Sequence, residues 1–194
     1  MAIASNASNV LAGKPLVGGG IFVAPMGAVR PTGATTALNP AYRGTGYVSE
    51  DGVTETVDRS TDKIRAWGGD TVKVVQSEFG VQYEFTFIET LNSEVLKTVY
   101  GGTNVTTTAA TGTKGTLHKV KLNSGTLPEQ QFVIDMKDGN ATVRISFFGQ
   151  ISEVGEITYS DEEVIGYPVT VLAIPDANGD SAVKYLDDGV KTGG

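Results

Sequence analysis

Few residues in this chain have the types and spacing that catalysis requires. His118 is the only histidine, and cysteine is absent. A general base must lie within hydrogen-bond reach of the proton it removes. No serine or cysteine nucleophile motif lies near His118, so we interpret this histidine as structural or exposed. The sequence therefore predicts no catalytic residues and no enzyme.

Two acidic segments offer the oxygen ligands that hard cations prefer. Asp161, Glu162 and Glu163 are adjacent, whereas a cation needs ligands that converge from several directions. The segment 176–180 is similar to the start of a calcium loop but lacks its later glycine and closing acid. Its Asn178-Gly179 pair is explained by a hairpin turn. We predict a solvated loop and a turn, with no metal and no cofactor.

The net charge of −7 is concentrated near the C-terminus. Residues 151–194 hold nine acids and two lysines, which account for the whole excess. Tight binding of nucleic acid needs clustered lysine and arginine, so this balance argues against it. The N-terminus lacks the features of a signal peptide, and no apolar run approaches the roughly 20 residues that span a bilayer. We expect no membrane partner and accumulation in the cytoplasm.

The elements that position these residues are predicted to be mostly strands. One strand alternates apolar residues on a single face: Val81, Tyr83, Phe85 and Phe87. Val169–Ile174 is apolar on both faces and is expected to be a central, covered strand. Tight glycine turns are predicted at 68–70, 138–140 and 178–179.

One helix is predicted, over Ser93–Tyr100. Asn92 is a suitable N-cap and Gly101 a suitable stop. Leu91 and Leu96 occupy the two positions of a hydrophobic staple. The fold class is therefore mainly β with one helix, a two-sheet β-sandwich or small barrel.

The chain divides into three predicted regions: an N-terminal arm (1–20), a β domain (21–176) and a C-terminal hairpin or extension (177–194). The loop 25–46 is long for a compact domain, and such loops are usually functional or disordered. The threonine-rich segment 103–116 is expected to be exposed, and nothing in its sequence indicates a role.

The segment 50–70 predicts a charged hairpin with the only tryptophan at its tip. Between residues 58 and 67, its charged residues and tip aromatic are Asp58, Arg59, Asp62, Lys63, Arg65 and Trp67. Trp67 has two interpretations. It caps the core, or, next to arginines at a hairpin tip, it anchors an interface with another protein.

Three phrases of the chain resemble one known family. They are Ser49–Glu55 (SEDGVTE), Arg65–Asp70 (RAWGGD) and Tyr159–Glu163 (YSDEE). Together with the order of elements over about residues 18–176, they resemble the major tail tube proteins of long-tailed bacteriophages (siphophages), most of all those that infect actinobacteria.

The resemblance implies two packed β-sheets with one flanking helix and a structural role in the virion tail. It implies hexameric rings that stack into a hollow tube, assembled in the host cytoplasm and used for DNA ejection. The implied partners are further copies of the chain, the tape measure protein in the lumen, and the tail terminator and tail tip proteins. DNA would pass without specific binding. The family's stacking loop corresponds to Asp58–Gln76 here.

The inner wall of a tube that carries DNA must repel the DNA phosphates. Salt screens charge repulsion beyond roughly 8 Å, so the acids that repel them must line the wall itself. Glu55, Glu153 and Glu156 lie on or beside predicted strands and are the candidates. Glu153 and Glu156 are three residues apart, so an unbroken strand points them to opposite faces unless Gly155 forms a bulge. We expect at least one of them to point inward.

Two other functions remain open at this point. An inner-tube subunit of a contractile injection or secretion system has the same architecture, and neighbouring sheath and effector genes would identify it. A β-sandwich that binds a host surface or carbohydrate needs an exposed aromatic platform, for which only Trp67 is a candidate.

Overall fold

The described residues of this computed structural model, 5–16 and 19–191, contain eleven strands and one α-helix. The strands are β1 (Lys14–Pro15), β2 (Ile21–Pro25), β3 (Arg43–Gly44), β4 (Val48–Arg65), β5 (Thr71–Phe87), β6 (Val105–Thr108), β7 (Leu117–Val120), β8 (Gln130–Asp138), β9 (Ala141–Val154), β10 (Tyr167–Ile174) and β11 (Val183–Asp187). The helix α1 is Ser93–Tyr100, and short 3-10 turns occupy Ala7–Asn9 and Gly102–Asn104. Residues 1–4 and 17–18 of the predicted arm, and 192–194 of the predicted extension, lie outside the described residues.

Nine strands form one curled antiparallel sheet in the order β3-β2-β8-β9-β10-β5-β4, with β1 added to β8 and β11 to β9. The long strand β9 pairs with β8 along one edge. Along its other edge, its first part pairs with β11 and its second part with β10. β6 and β7 form a separate two-stranded sheet. The predicted class, a mainly β sandwich with one helix, is confirmed.

The core lies between the layers and is built on stacked aromatic rings. Phe147 of β9 stacks on Tyr83 of β5 at 4.2 Å and on Phe132 of β8 at 5.3 Å between ring centroids. Val81, Tyr83, Phe85 and Phe87 are all buried, as their alternation predicts. Each buried aromatic ring of this kind contributes about 2 kcal/mol to folding.

Helix α1 covers one end of this core and begins and ends where the sequence predicts. The Asn92 side chain accepts a hydrogen bond from the Glu94 amide at 2.9 Å, and Gly101 ends the helix at a positive φ of 84°. The predicted staple is wrong: Leu96 is buried, but Leu91 is 82% exposed and points to solvent.

Strand β10 is central, between β5 and β9, as predicted, but it is not covered on both faces. Val169, Val171 and Ala173 face the core, whereas Leu172 on the other face is 45% exposed. The prediction of a two-sided apolar environment is therefore wrong. The three predicted glycine turns are confirmed, with positive φ at Gly68, Gly69, Gly139 and Gly179.

The long loop 25–46 packs against the outer face of β2 and β8. Tyr42 is buried and its hydroxyl donates to the Gln131 side chain at 2.6 Å. Arg144 makes a two-pronged ion pair with Asp135 at 2.6 and 2.8 Å and also donates to the Gly33 carbonyl at 3.1 Å. These contacts hold the loop in one conformation, which its composition did not indicate.

Candidate assembly interface

Strands β4 and β5 form a hairpin that extends well beyond the core. They pair from Val53 opposite Phe85 as far as Arg65 opposite Thr71. Burial ends near Val81, and every residue from 58 to 74 is exposed. The part of β4 beyond Val57 has eight residues, so the projection is roughly 25 Å long at the usual rise of a strand. We call residues 58–79 the hairpin projection.

The tip of the hairpin projection is a compact turn with an exposed aromatic ring. The Ala66 amide donates to the Asp70 carbonyl at 2.8 Å, and the Gly69 amide to the Ala66 carbonyl at 3.0 Å. Gly68 and Gly69 both take positive φ, which their missing Cβ allows. Trp67 is fully exposed. The interpretation of Trp67 as a cap of the core is therefore wrong.

The hairpin projection has two faces of opposite charge. Arg59 and Phe79 are cross-strand partners, as are Lys63 and Val74, and cross-strand partners share a face. Arg59, Lys63 and Arg65 alternate along β4, and with Phe79 and Val74 they define the basic face. The opposite face, here the acidic face, carries three acids, Asp58, Asp62 and Glu78, and one cation, Lys73, so its net charge is negative.

The basic face is partly ordered by its own contacts. The Arg59 guanidinium lies over the Phe79 ring, 4.9 Å from its centroid, and donates to the Gln76 side chain at 2.7 Å. Arg65 donates to the Gly69 carbonyl at 3.1 Å. Neither arginine, nor Lys63, is in an ion pair with any of the described residues.

The acidic face continues onto the body of the molecule. Cross-strand pairing aligns Thr54, Glu84, Thr170 and Glu153 in one row across β4, β5, β10 and β9. The next row holds Thr56, Gln82, Leu172 and Gln150. Both glutamates are exposed, and the eight residues include no lysine or arginine. We call these two rows the open face.

The predicted acids separate between faces. Glu153 lies on the open face, whereas Glu55 pairs with Tyr83 in a row that faces the core. The Glu55 carboxylate forms an ion pair with Lys184 of β11 at 2.6 Å. The pKa of the Tyr83 hydroxyl is raised, mainly by burial and secondly by the charge of Glu55.

Glu156 lies beyond β9, which ends at Val154. A bulge does occur in β9, but at Ser152, where the register shifts, and not at Gly155 as considered from the sequence. Glu84 was not among the predicted acids. Its position between Tyr83 and Phe85 on a strand with one core face was the signal that places it on the exposed side.

A family model described as phage tail tube protein matches residues 3–192. The chain belongs to the phage tail tube protein family. A search of curated proteins found no match. Membership of this family makes the chain a structural protein of the virion tail, which self-assembles into a tube with other tail proteins.

The remaining chemistry-bearing residues of this tail tube protein have local roles. His118 Nδ1 lies 3.0 Å from the Thr107 hydroxyl across β6 and β7. Asp161, Glu162 and Glu163 lie in an exposed loop, as predicted. Within residues 5–16 and 19–191, no helix is long and apolar enough to cross a membrane, and no group of acids and histidine has the arrangement of a metal site.

Asp176 organises the turn that the sequence predicts at 178–179. Its carboxylate accepts from the amides of Asn178 at 2.8 Å and Asp180 at 3.2 Å, and from Arg30 at 3.0 Å. The backbone hydrogen bonds, followed by Arg30, hold the pKa of Asp176 below its usual value. The carboxylate therefore stabilises its own turn and links that turn to the loop 25–46.

Proposed function

We propose that this tail tube protein forms hexameric rings that stack into the hollow tail of a siphophage, with an actinobacterial host. The tube encloses the tape measure protein and later conducts DNA during ejection, without binding it specifically. Assembly takes place in the host cytoplasm, where the tail terminator and tail tip proteins complete the ends. The match of the family model to residues 3–192 is the observation that carries this proposal.

The hairpin projection is the element that joins one ring to the next. Apart from the partly buried Val75, its side chains are exposed in the single chain, so they are available for contacts with other subunits. Asp58, Arg59, Asp62, Lys63, Arg65 and Trp67 are the stacking residues in this proposal. Exposed tryptophan and arginine are the residue types most enriched where protein interfaces bind tightly.

The open face lines the lumen. Glu84 and Glu153 repel phosphate at short range, and no basic residue in the two rows offers it a partner. Of the acids predicted from the sequence, Glu153 fits this role. Glu55 fits it less well, because its carboxylate is already neutralised by Lys184. Glu156 lies outside the strands, and its orientation in the tube remains a prediction.

Sedimentation of the purified protein tests the proposal. We expect rings or tubes at high concentration, or after seeding with tube fragments. A chain that stays a 20.3 kDa monomer under both conditions would exclude self-assembly as its function. Seeding with preformed tube fragments distinguishes a chain that lacks only a nucleus for assembly from a chain that does not assemble.

A further inference from the structure

We propose that the basic face of the hairpin projection docks on the loop 156–164 of a second copy of this chain. The proposal rests on the proposed function, since it assumes that copies assemble. It assigns one face of the hairpin and one partner surface to the contact between subunits. The acidic face of the hairpin then points away from this contact.

The basic face has the charge and the apolar surface of an uncovered contact. Its three cations, Arg59, Lys63 and Arg65, are not neutralised by any acid among the described residues. Phe79 and Val74 lie opposite Arg59 and Lys63 on β5 and are exposed. An exposed sheet face that combines cations with apolar side chains is typical of a surface that meets protein.

The loop 156–164 has the opposite charge and a similar apolar content. Its acids are Glu156, Asp161, Glu162 and Glu163, all exposed and none in an ion pair with a described residue. Tyr159 and Val164 are exposed apolar neighbours of these acids. Four acids with two apolar side chains therefore match three cations with two apolar side chains.

The two faces of the hairpin make this match selective. If the hairpin were turned over, Asp58, Asp62 and Glu78 would face the acids of the loop, and like charges would repel. The charge pattern thus selects one orientation of the hairpin. The same orientation keeps the acidic face available to extend the wall formed by the open face.

A pair of matched charge reversals tests the docking. Lys63→Glu changes the basic face, and Lys73→Glu makes the same chemical change on the other face, because Lys73 pairs with Ile64. Both lysines are exposed, so thermal unfolding of the monomers should be unchanged. We expect Lys63→Glu to raise the critical concentration for tube formation about tenfold, a typical size for a charged contact. Lys73→Glu should leave it unchanged.

The partner surface is tested by rescue. Glu162→Lys alone should weaken assembly as Lys63→Glu does. The two changes together should restore assembly, because the charges on the two sides of the contact are again of opposite sign. Equal effects of Lys63→Glu and Lys73→Glu, a silent Glu162→Lys, or failure of the combined variant to recover would overturn the docking while the tube function stands. Absence of tubes from the unmodified protein would instead contradict the proposed function.

Discussion

At the scale of single residues, a substitution of Trp67 best distinguishes an effect on assembly from an effect on the stability of the chain. Its ring is fully exposed at the tip of the hairpin projection. We expect Trp67→Ala to change the free energy of unfolding by less than about 0.5 kcal/mol. The same change should weaken each subunit contact by about 2 kcal/mol. Thermal unfolding and sedimentation measure the two effects, with Trp67→Phe as a control that keeps an aromatic ring. A large loss of stability would contradict the exposed position.

Arg144 has the opposite character, because its ion pair with Asp135 is buried. Arg144→Met leaves the Asp135 carboxylate buried without its partner and should lower the free energy of unfolding by about 3 kcal/mol or more. Lys184→Met is the matched control, since the Lys184 side chain is half exposed in its pair with Glu55 and should cost less than about 1 kcal/mol. Denaturant unfolding measures both values, and equal losses would contradict the account.

Asp176 makes the folding stability of the chain depend on pH in the acidic range. Its pKa is lowered in the folded protein, so its contribution to stability is complete above the unfolded pKa and is lost as the pH falls through the folded one. Asp176→Asn should therefore make stability decline less steeply below about pH 3.9. Unfolding midpoints measured across that range test this, with Glu162→Gln in the exposed loop as control. An unchanged slope would show that the carboxylate does not act in this way.

At the scale of elements, the hairpin projection and the sandwich are separable. No residue from 58 to 74 is buried, so the projection adds nothing to the core. Replacing residues 59–79 by Asn-Gly joins Asp58 to its partner Gly80 through a two-residue turn. We expect a monomer with the circular dichroism of a β-sandwich and a melting temperature within about 5 °C of the unmodified chain. It should form no tubes, and tubes from this variant would contradict the role of the hairpin.

Much of this architecture follows from local sequence. Alternation placed Tyr83 and its neighbours in the core, and capping chemistry placed the ends of α1, because both signals lie within a few residues. The Asp135–Arg144 pair can also be predicted from the sequence. Counting outward from the turn at Gly139 in the antiparallel register sets the two residues opposite each other.

Other features depend on contacts that a linear sequence does not reveal. The loop 25–46 is ordered by Arg30 and Arg144, whose partners lie more than a hundred residues away. Leu91 fits a local staple pattern but faces solvent, since the pattern does not fix the path of the preceding chain. The apolar run of β10 suggested two covered faces, yet Leu172 is part of the open face. This second face of β10 is the one that we propose lines the lumen of the tube.

At the scale of the whole molecule, the charge of the chain is distributed by face. The open face carries acids, the acidic face of the hairpin carries more acids than cations, and the basic face carries cations together with apolar side chains. The net charge of −7 alone would not distinguish a soluble surface from a channel wall. Glu84 and Glu153 lie in one row on the two strands that flank β10, so the acids of this row face the same side of the sheet.

Electron cryomicroscopy of the tubes formed by the purified protein would show both the lumen wall and the contacts between rings. We expect hollow tubes of uniform diameter with sixfold rings, in which Glu84 and Glu153 face the lumen and the hairpin projection crosses to the adjacent ring. A net basic inner wall, or a hairpin that contacts no neighbouring subunit, would contradict this expectation.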